Sequence, residues 1–529
     1  MIKTTVAAVA TLALAVGFTQ PASPQGDAQK LGSVHFETSC SPQAQKLFDQ
    51  AMLYQHSFWY RASQRVFEDT LKADPECGIA YWGIALSQLL NPHVPPPAKN
   101  LAEGAAALAK AAERSGAKTE RERDYLQALG VMYANYEKVD HRTRLLAYAS
   151  AMERLAQRYG NDDEAQIHYA LALNTSASPA DKTYANQLKG AAILEPIFKR
   201  QPQHPGVAHY LIHLYDYPPI AEKGLEAARL YAKIAPAAAH AQHMPSHIFT
   251  RVGHWRESIA SNLEAARVAK HAEDWHDQLH AMDYLVYAYL QLGQDANANA
   301  VLADMKTVSG FTETFLVGPY ALAVAPARYA IERGDWKAAA ALQVRPSPLP
   351  HVQAITHFAR ALGAARSGDP DAATADINKL RELRDKLRDA KDAYWSEQVD
   401  IQVQVASALV LYAAGKFDEA LNALSAAADA EDKTEKHPVT PGVPKPAREL
   451  YAGMLLERGR AKDALGAFEA TLKKEPNRLG AYVGAAKAAA QLDDKARARA
   501  YYEKVVAIAG DADEARGEVA DARAFLKRL

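Results

Sequence analysis

Cysteine is nearly absent: Cys40 and Cys77 are the two in 529 residues, and no CxxC pair exists. A thioredoxin-like redox motif is thereby excluded. A surplus of charge is missing too, with 61 Lys and Arg against 62 Asp and Glu and a formal net charge of −1. Phosphate recognition needs clustered basic residues, and no basic block is present, so nucleic acid is not an expected partner. The longest apolar run, Val6 to Phe18, is too short to cross a bilayer. HExxH, the P-loop, the GxSxG elbow and the calcium-binding loop are also lacking.

What is present is an ordinary folded composition, 49% hydrophobic and 23% charged. The length exceeds one compact core, so several domains or an extended array are expected. Lys3, the apolar run and the small polar residues after it read as a signal peptide over residues 1–22, followed by a linker over 23–43. The expected location is periplasmic or secreted, with no membrane anchor after cleavage. In that setting Cys40 and Cys77 are expected to form a disulfide, the alternative being two separate thiols at the ends of the first helix pair.

One pattern recurs along the chain. VGHWRESIASNLEAA (252–266), RGDWKAAAAL (333–342), SGDPDAATADI (367–377), AGKFDEALNAL (414–424) and RGRAKDALGAF (458–468) each carry a Gly, a variable residue, an often aromatic position and a small residue further on. Prolines close several units, as in LKADPEC (71–77) and LKKEPNR (472–478). The pattern resembles the tetratricopeptide repeat, a helix–turn–helix unit of 34 residues. With the turn Gly at repeat position 15, position 20 is Ser63, Ser258, Ala298, Ala339, Ala373, Ala420 and Ala464. Position 24 is Phe67, Leu302, Ile377, Leu424 and Phe468. Phe58 replaces the turn Gly in the first repeat. The resemblance implies an all-α, right-handed solenoid. Its main array would span 44–433, with a helical insertion near 90–160 after the break LNPHVPPPAKN. A Pro-rich linker over 434–447 would separate a C-terminal repeat pair and trailing helix over 448–529. Prolines make that linker extended rather than helical.

Three stretches are not part of the generic repeat: HSFWY (56–60), AHYLIHLYD (208–216) and HMPSHIFTR (243–251). The last two share a motif. HxxxH occurs in both, 34 residues apart, at repeat positions 5 and 9. Residues i and i+4 share a helix face, so each motif presents two imidazoles side by side. In the tetratricopeptide family positions 2, 5, 9, 12 and 13 line the concave groove. The resemblance therefore puts His209, His213, His243 and His247 on one groove patch, with His280 and Asp283 at its edge. Pro245 suits a helix start. His56, Trp82, Tyr210 and Tyr287 are further groove candidates, while His168 has an unclear register. His93, His141, His271, His276, His351 and His437 lie outside the repeat phase and are expected at the surface or in loops.

Four imidazoles on adjacent helices suit a transition metal such as Zn, Cu or Fe. Asp216 or Asp283 would serve as an additional ligand or orient a histidine, and His280 and His168 are further candidates. Three functions follow. The first is an exported binding protein whose His-rich groove takes a ligand through a metal. The second is a metal-dependent hydrolase or oxidase using the same site. The third is a metal-free scaffold holding a peptide, protein or small ligand.

Overall fold

The computed structural model describes residues 30–113, 117–514 and 516–528. The leader assigned to 1–22 and the first part of the 23–43 linker lie outside the described residues. Among the described residues the chain is helical throughout, without a strand, and forms an all-α solenoid of tetratricopeptide-like helix pairs. Small residues let each pair approach closely. Ser63, Ser258, Ala298, Ala339, Ala373, Ala420 and Ala464 are all fully buried at the repeat position where the helices cross. Phe67, Ile377, Leu424 and Phe468 are buried one turn further on, filling the space these small residues leave.

The turns between helices need a left-handed residue, which glycine supplies without a Cβ clash. Gly253, Gly293, Gly334, Gly368, Gly415 and Gly459 all have φ between +66° and +83°. Phe58 holds φ +57° at the equivalent turn, a conformation a bulky residue rarely adopts. Aspartate side chains cap the helices that start at Trp275, Trp336, Pro370, Ala393 and Lys495, each accepting a backbone N–H.

Residues 31–41, read from the sequence as linker, form an irregular segment anchored at several points. Phe36 is fully buried among Phe48, Trp82 and Tyr125, and Ser39 donates to Glu122. Cys40 and Cys77 are disulfide-bonded with Cα atoms 4.9 Å apart, tying this segment to the start of the Ile79–Gln88 helix.

The Pro-rich segment after the Phe417–Asp432 helix is not helical, but instead of running extended it folds through turns and bends, with Thr440 N–H donating to the His437 carbonyl (3.2 Å), and it packs against the inner side of the helices. Val439, Thr440, Pro441 and Gly442 are buried. Fully buried Arg328 donates to the Thr440 hydroxyl (3.1 Å) and to the carbonyls of Gly442 (3.2 Å) and Val443 (3.1 Å). One apolar core runs from Tyr320 through Val439 into the C-terminal helices as far as Ala498, so these repeats share a core with the main array rather than standing apart from it. They also turn back onto its middle. The Trp255 indole donates to the Asn477 carbonyl (2.8 Å), Arg516 pairs with Asp295 (2.7 Å), and Gly253 leaves room for the Pro476 carbonyl. Buried Arg478 fastens this closure, paired with Glu332, Glu449 and Glu475 and bonded to the Tyr287 hydroxyl (3.1 Å).

Of the histidines expected at the surface or in loops, His93 does sit in a loop, half-buried, with its ring 4.5 Å from that of His213. His351 is instead buried, stacked flat on Trp395 at 4.4 Å. A break in the helical phase hides such residues, because a loop or a new helix pair can return a side chain to the core.

Two outcomes are expected. Removing the disulfide with Cys40→Ala and Cys77→Ala together should lower the stability of the N-terminal repeats by about 4 kcal/mol, the loop-closure entropy for a separation of 37 residues. Urea unfolding followed by fluorescence of the variant, against the oxidised parent, measures this. The second concerns acid. Burial pushes the His351 imidazole down to about 4, and neither ring nitrogen has a hydrogen-bond partner. The unfolded chain protonates near 6.5, so this contribution is intact above that pH and is lost as pH falls toward 4. His351→Phe keeps the stack and should recover up to about 3 kcal/mol at pH 4, with a smaller gain at pH 7.5; urea unfolding at the two pH values checks it.

Candidate metal centre

Four neighbouring helices build the site: Pro205–Tyr215, Ala239–His243, Pro245–Arg251 and Trp275–Gln291. Pro205 and Pro245 each stand at the first turn of their helix, where a missing N–H costs nothing. Met244 joins the Ala239–His243 and Pro245–Arg251 helices in near-helical conformation (φ −52°, ψ −37°), so His240, His243 and His247 remain on the inner side of one slightly broken helix.

The six inward histidines form two trios. In the first, the Nε2 atoms of His213 and His240 each lie 3.1 Å from Nε2 of His209. In the second, Nε2 of His243 lies 3.1 Å from Nε2 of His247, with His280 as third member. Each trio offers three nitrogen atoms within 4.8 Å of one another. His209, His213, His243 and His247 are buried, His240 is half-buried and His280 is 9% exposed. The single four-imidazole patch expected from the sequence is therefore divided. His209 and His213 belong to one trio, His243 and His247 to the other, and the rings of His213 and His247 face each other at 6.3 Å.

What lies behind the rings fixes which nitrogen faces inward. His209 Nδ1–H donates to the His56 carbonyl (2.7 Å). His247 Nδ1–H donates to Asp216 Oδ2 (2.9 Å). His243 Nδ1–H donates to Asn262 Oδ1 (2.7 Å), an amide oriented by its own Nδ2–H bond to the Ser258 carbonyl (2.8 Å). With the Nδ1 positions of these three rings protonated, their neutral forms turn Nε2 lone pairs toward the cluster. Burial, reinforced by the neighbouring imidazoles, pushes His209 down to about 3 and His213, His240, His243 and His280 well below the usual histidine range. His247 is lowered by burial as well, against the pull of Asp216. The Nε2 atoms of neutral His243 and His247, held lone pair to lone pair at 3.1 Å, repel, and a cation between them turns that repulsion into coordination.

Asp216 ends the Pro205–Tyr215 helix and gathers three donors: His247, Arg251 Nε (2.8 Å) and Lys436 Nζ (3.2 Å). Burial alone would raise its pKa, but Lys436, Arg251 and His247 hold the carboxyl well below the usual range. Lys436 comes from the Pro-rich segment, which thus crosses the groove beside the histidines. Burial lowers its ammonium to about 8 despite the Asp216 charge. Phe58, in its left-handed turn, lays its ring against His209 (4.3 Å), His240 (5.2 Å) and His213 (5.7 Å), closing the first trio on one side. A strained backbone at such a position points to a side chain required by its surroundings. The Tyr284 hydroxyl lies 3.5 Å from His247 Nε2 at the second trio.

The other candidates lie elsewhere. Asp283 faces Arg328 (3.5 Å), fully buried, and has no hydrogen bond to the histidines. Burial pushes its carboxyl up to about 6 against that guanidinium. His56 and His204 donate through Nε2–H to the two oxygens of Glu164 (3.1 and 2.9 Å), and Tyr210 donates to His56 Nδ1 (3.0 Å). In this third cluster the Nε2–H groups are already committed to the carboxylate, while His204 Nδ1 is buried without a hydrogen-bond partner. His168 and Trp82 pack beside it, their rings 5.4 Å apart. Tyr287 serves the closure instead, donating to Glu475 Oε2 (3.1 Å). His240, His93, Asn262, Arg251 and Lys436 were not identified from the sequence as site residues. For His240 a signal existed: the repeat register puts it at position 2, the groove position that also carries His280.

No protein-family model matches the chain, and no curated protein matches it. Three solved structures to which the chain is similar are distant in sequence and superpose loosely. A monomeric IFIT1 mutant with Gppp-AAAA has 12% identity, covering 91% of this chain and 99% of that one, with a TM-score of 0.36. The Cut9–Hcn1 hetero-tetramer of the APC/C has 11% identity, coverage of 92% and 95%, and a TM-score of 0.29. Yeast Tom70 has 14% identity, coverage of 92% and 96%, and a TM-score of 0.28.

Proposed function

We propose that this chain is an exported solenoid that binds a transition metal in its concave groove through histidine Nε2 atoms, and presents that metal to a ligand. One observation carries the reading. His243 and His247 hold Nε2 lone pairs toward each other at 3.1 Å because both their Nδ1 protons are committed to Asn262 and Asp216, and His209, with its Nδ1 proton on the His56 carbonyl, turns an Nε2 lone pair toward His213 and His240. A structural histidine cluster normally alternates donors and acceptors, as the His56–Glu164–His204 cluster does. The donor set is imidazole alone, which suits copper or zinc better than the carboxylate-bearing sites of iron, magnesium or calcium. Neutral buried histidines are also the protonation state a metal requires. The export signal read over residues 1–22 supports a role outside the cytoplasm, where the disulfide would persist.

Elemental analysis of untagged protein, after reconstitution with Cu, Zn or Fe, tests the reading. The parent should retain metal through gel filtration, and His213→Ala/His247→Ala should lose most of it with unchanged circular dichroism. Metal retained by neither protein would leave a metal-free scaffold. Asp216→Asn should weaken metal affinity by about 10- to 100-fold, because the neutral amide no longer raises the basicity of His247 and leaves Arg251 and Lys436 unmatched beside the site. Competition with a chromophoric chelator reads that change directly.

A further inference from the structure

The two trios are the same site built twice. His209 and His213 hold repeat positions 5 and 9 of one repeat, and His240 holds position 2 of the next. His243 and His247 hold positions 5 and 9 of that next repeat, and His280 holds position 2 of the one after. Each trio is thus two side chains from one helix and one from its successor, advanced by a single solenoid step. The series stops on both sides. Position 5 of the following repeat is Asp283, drawn away by Arg328. Position 2 of the preceding interface is Gly206, where any side chain would collide with the His56 ring. Two such sites can form in this groove.

They are also close. The 6.3 Å between the His213 and His247 rings is no larger than spacings inside a trio, 6.4 Å for His213 and His240 and 6.3 Å for His247 and His280. Three imidazoles leave a four-coordinate ion one open position.

We infer that the two trios together form one dinuclear centre that holds a pair of copper ions and takes a small anion between them. This deepens the metal-binding reading above and rests on it. Charge argues for copper and for the anion. Neither trio contains a carboxylate. The nearest acidic groups are already matched, Asp216 by Arg251 and Lys436, Asp283 by Arg328. Two divalent ions in this buried, carboxylate-poor site need an added negative charge, whereas two copper(I) ions need less compensation and accept three imidazoles. Access is from the side of His240 and His280, the two members that reach solvent.

Copper reconstitution of the full-length mature protein tests this. The parent should hold about two copper ions per chain, and variants of either trio about one. His213→Ala and His247→Ala remove buried members; His240→Ala and His280→Ala remove rim members and keep the test sound if a buried variant misfolds. In the copper(II) form, electron paramagnetic resonance should show a broadened spectrum with a half-field transition, or a silent pair. Each single-trio variant should give an ordinary mononuclear spectrum. Azide should saturate at about one per copper pair. One copper per chain in the parent would overturn the pair while leaving the metal-binding reading intact. So would two ions whose spectrum is the sum of those of the variants, or two azides per pair. No retained copper would overturn the copper pair, and no retained Cu, Zn or Fe would overturn both.

Discussion

Close approach of paired helices is the constraint from which the rest of this structure follows. It is set by one small, fully buried residue per repeat, from Ser63 to Ala464. A larger side chain at such a crossing would push the helices apart and spoil the packing of Phe67, Leu424 or Phe468 beside it. Because each pair adds a nearly constant step, a residue type placed at one repeat position reappears on the same inner face of the next helix. The histidine trios use that regularity. They need no dedicated loop or domain, only imidazoles at positions 2, 5 and 9 of successive units.

The groove is electrostatically unusual in that its polar residues are divided by role. The inner rings are neutral and carry lone pairs. The formal charges sit one layer behind, where Asp216 meets His247, Arg251 and Lys436, and where Asp283 meets Arg328. Removing one partner from such a group leaves the others buried and unmatched, which costs more than the pair itself gains. The hydrogen bonds behind the rings therefore act as fixed supports: they set tautomer and aim without adding ligand charge.

Much of this was legible in the sequence. The repeat phase places the turn glycines, the small residues and the HxxxH pairs, since all three follow from helix geometry and a 34-residue period. The phase also contains His240, at repeat position 2, which an i, i+4 pattern within one helix does not reveal. What the sequence could not show is contact between distant segments. Asn262 comes from the outer helix of its pair, Lys436 from a Pro-rich stretch whose composition says only that it is not helical, and His93 from a loop outside the period. The split of four expected imidazoles into two groups of three follows from the position 2 histidines, His240 and His280, each of which completes the pair on the preceding helix.

The closure of the solenoid gives the site a place in the order of folding. Contacts within and between successive repeats are local and form early, so the histidine face can assemble from residues 205–291. The Lys436–Asp216 and Trp255–Asn477 contacts join points more than two hundred residues apart, at separations of 220 and 222. Loops of that length close late. A ligand arriving before closure meets an open face; one arriving afterwards must pass beside the Pro-rich segment. The same chain thus offers its imidazoles under two regimes of access, separated in time by the docking of its own C-terminal third.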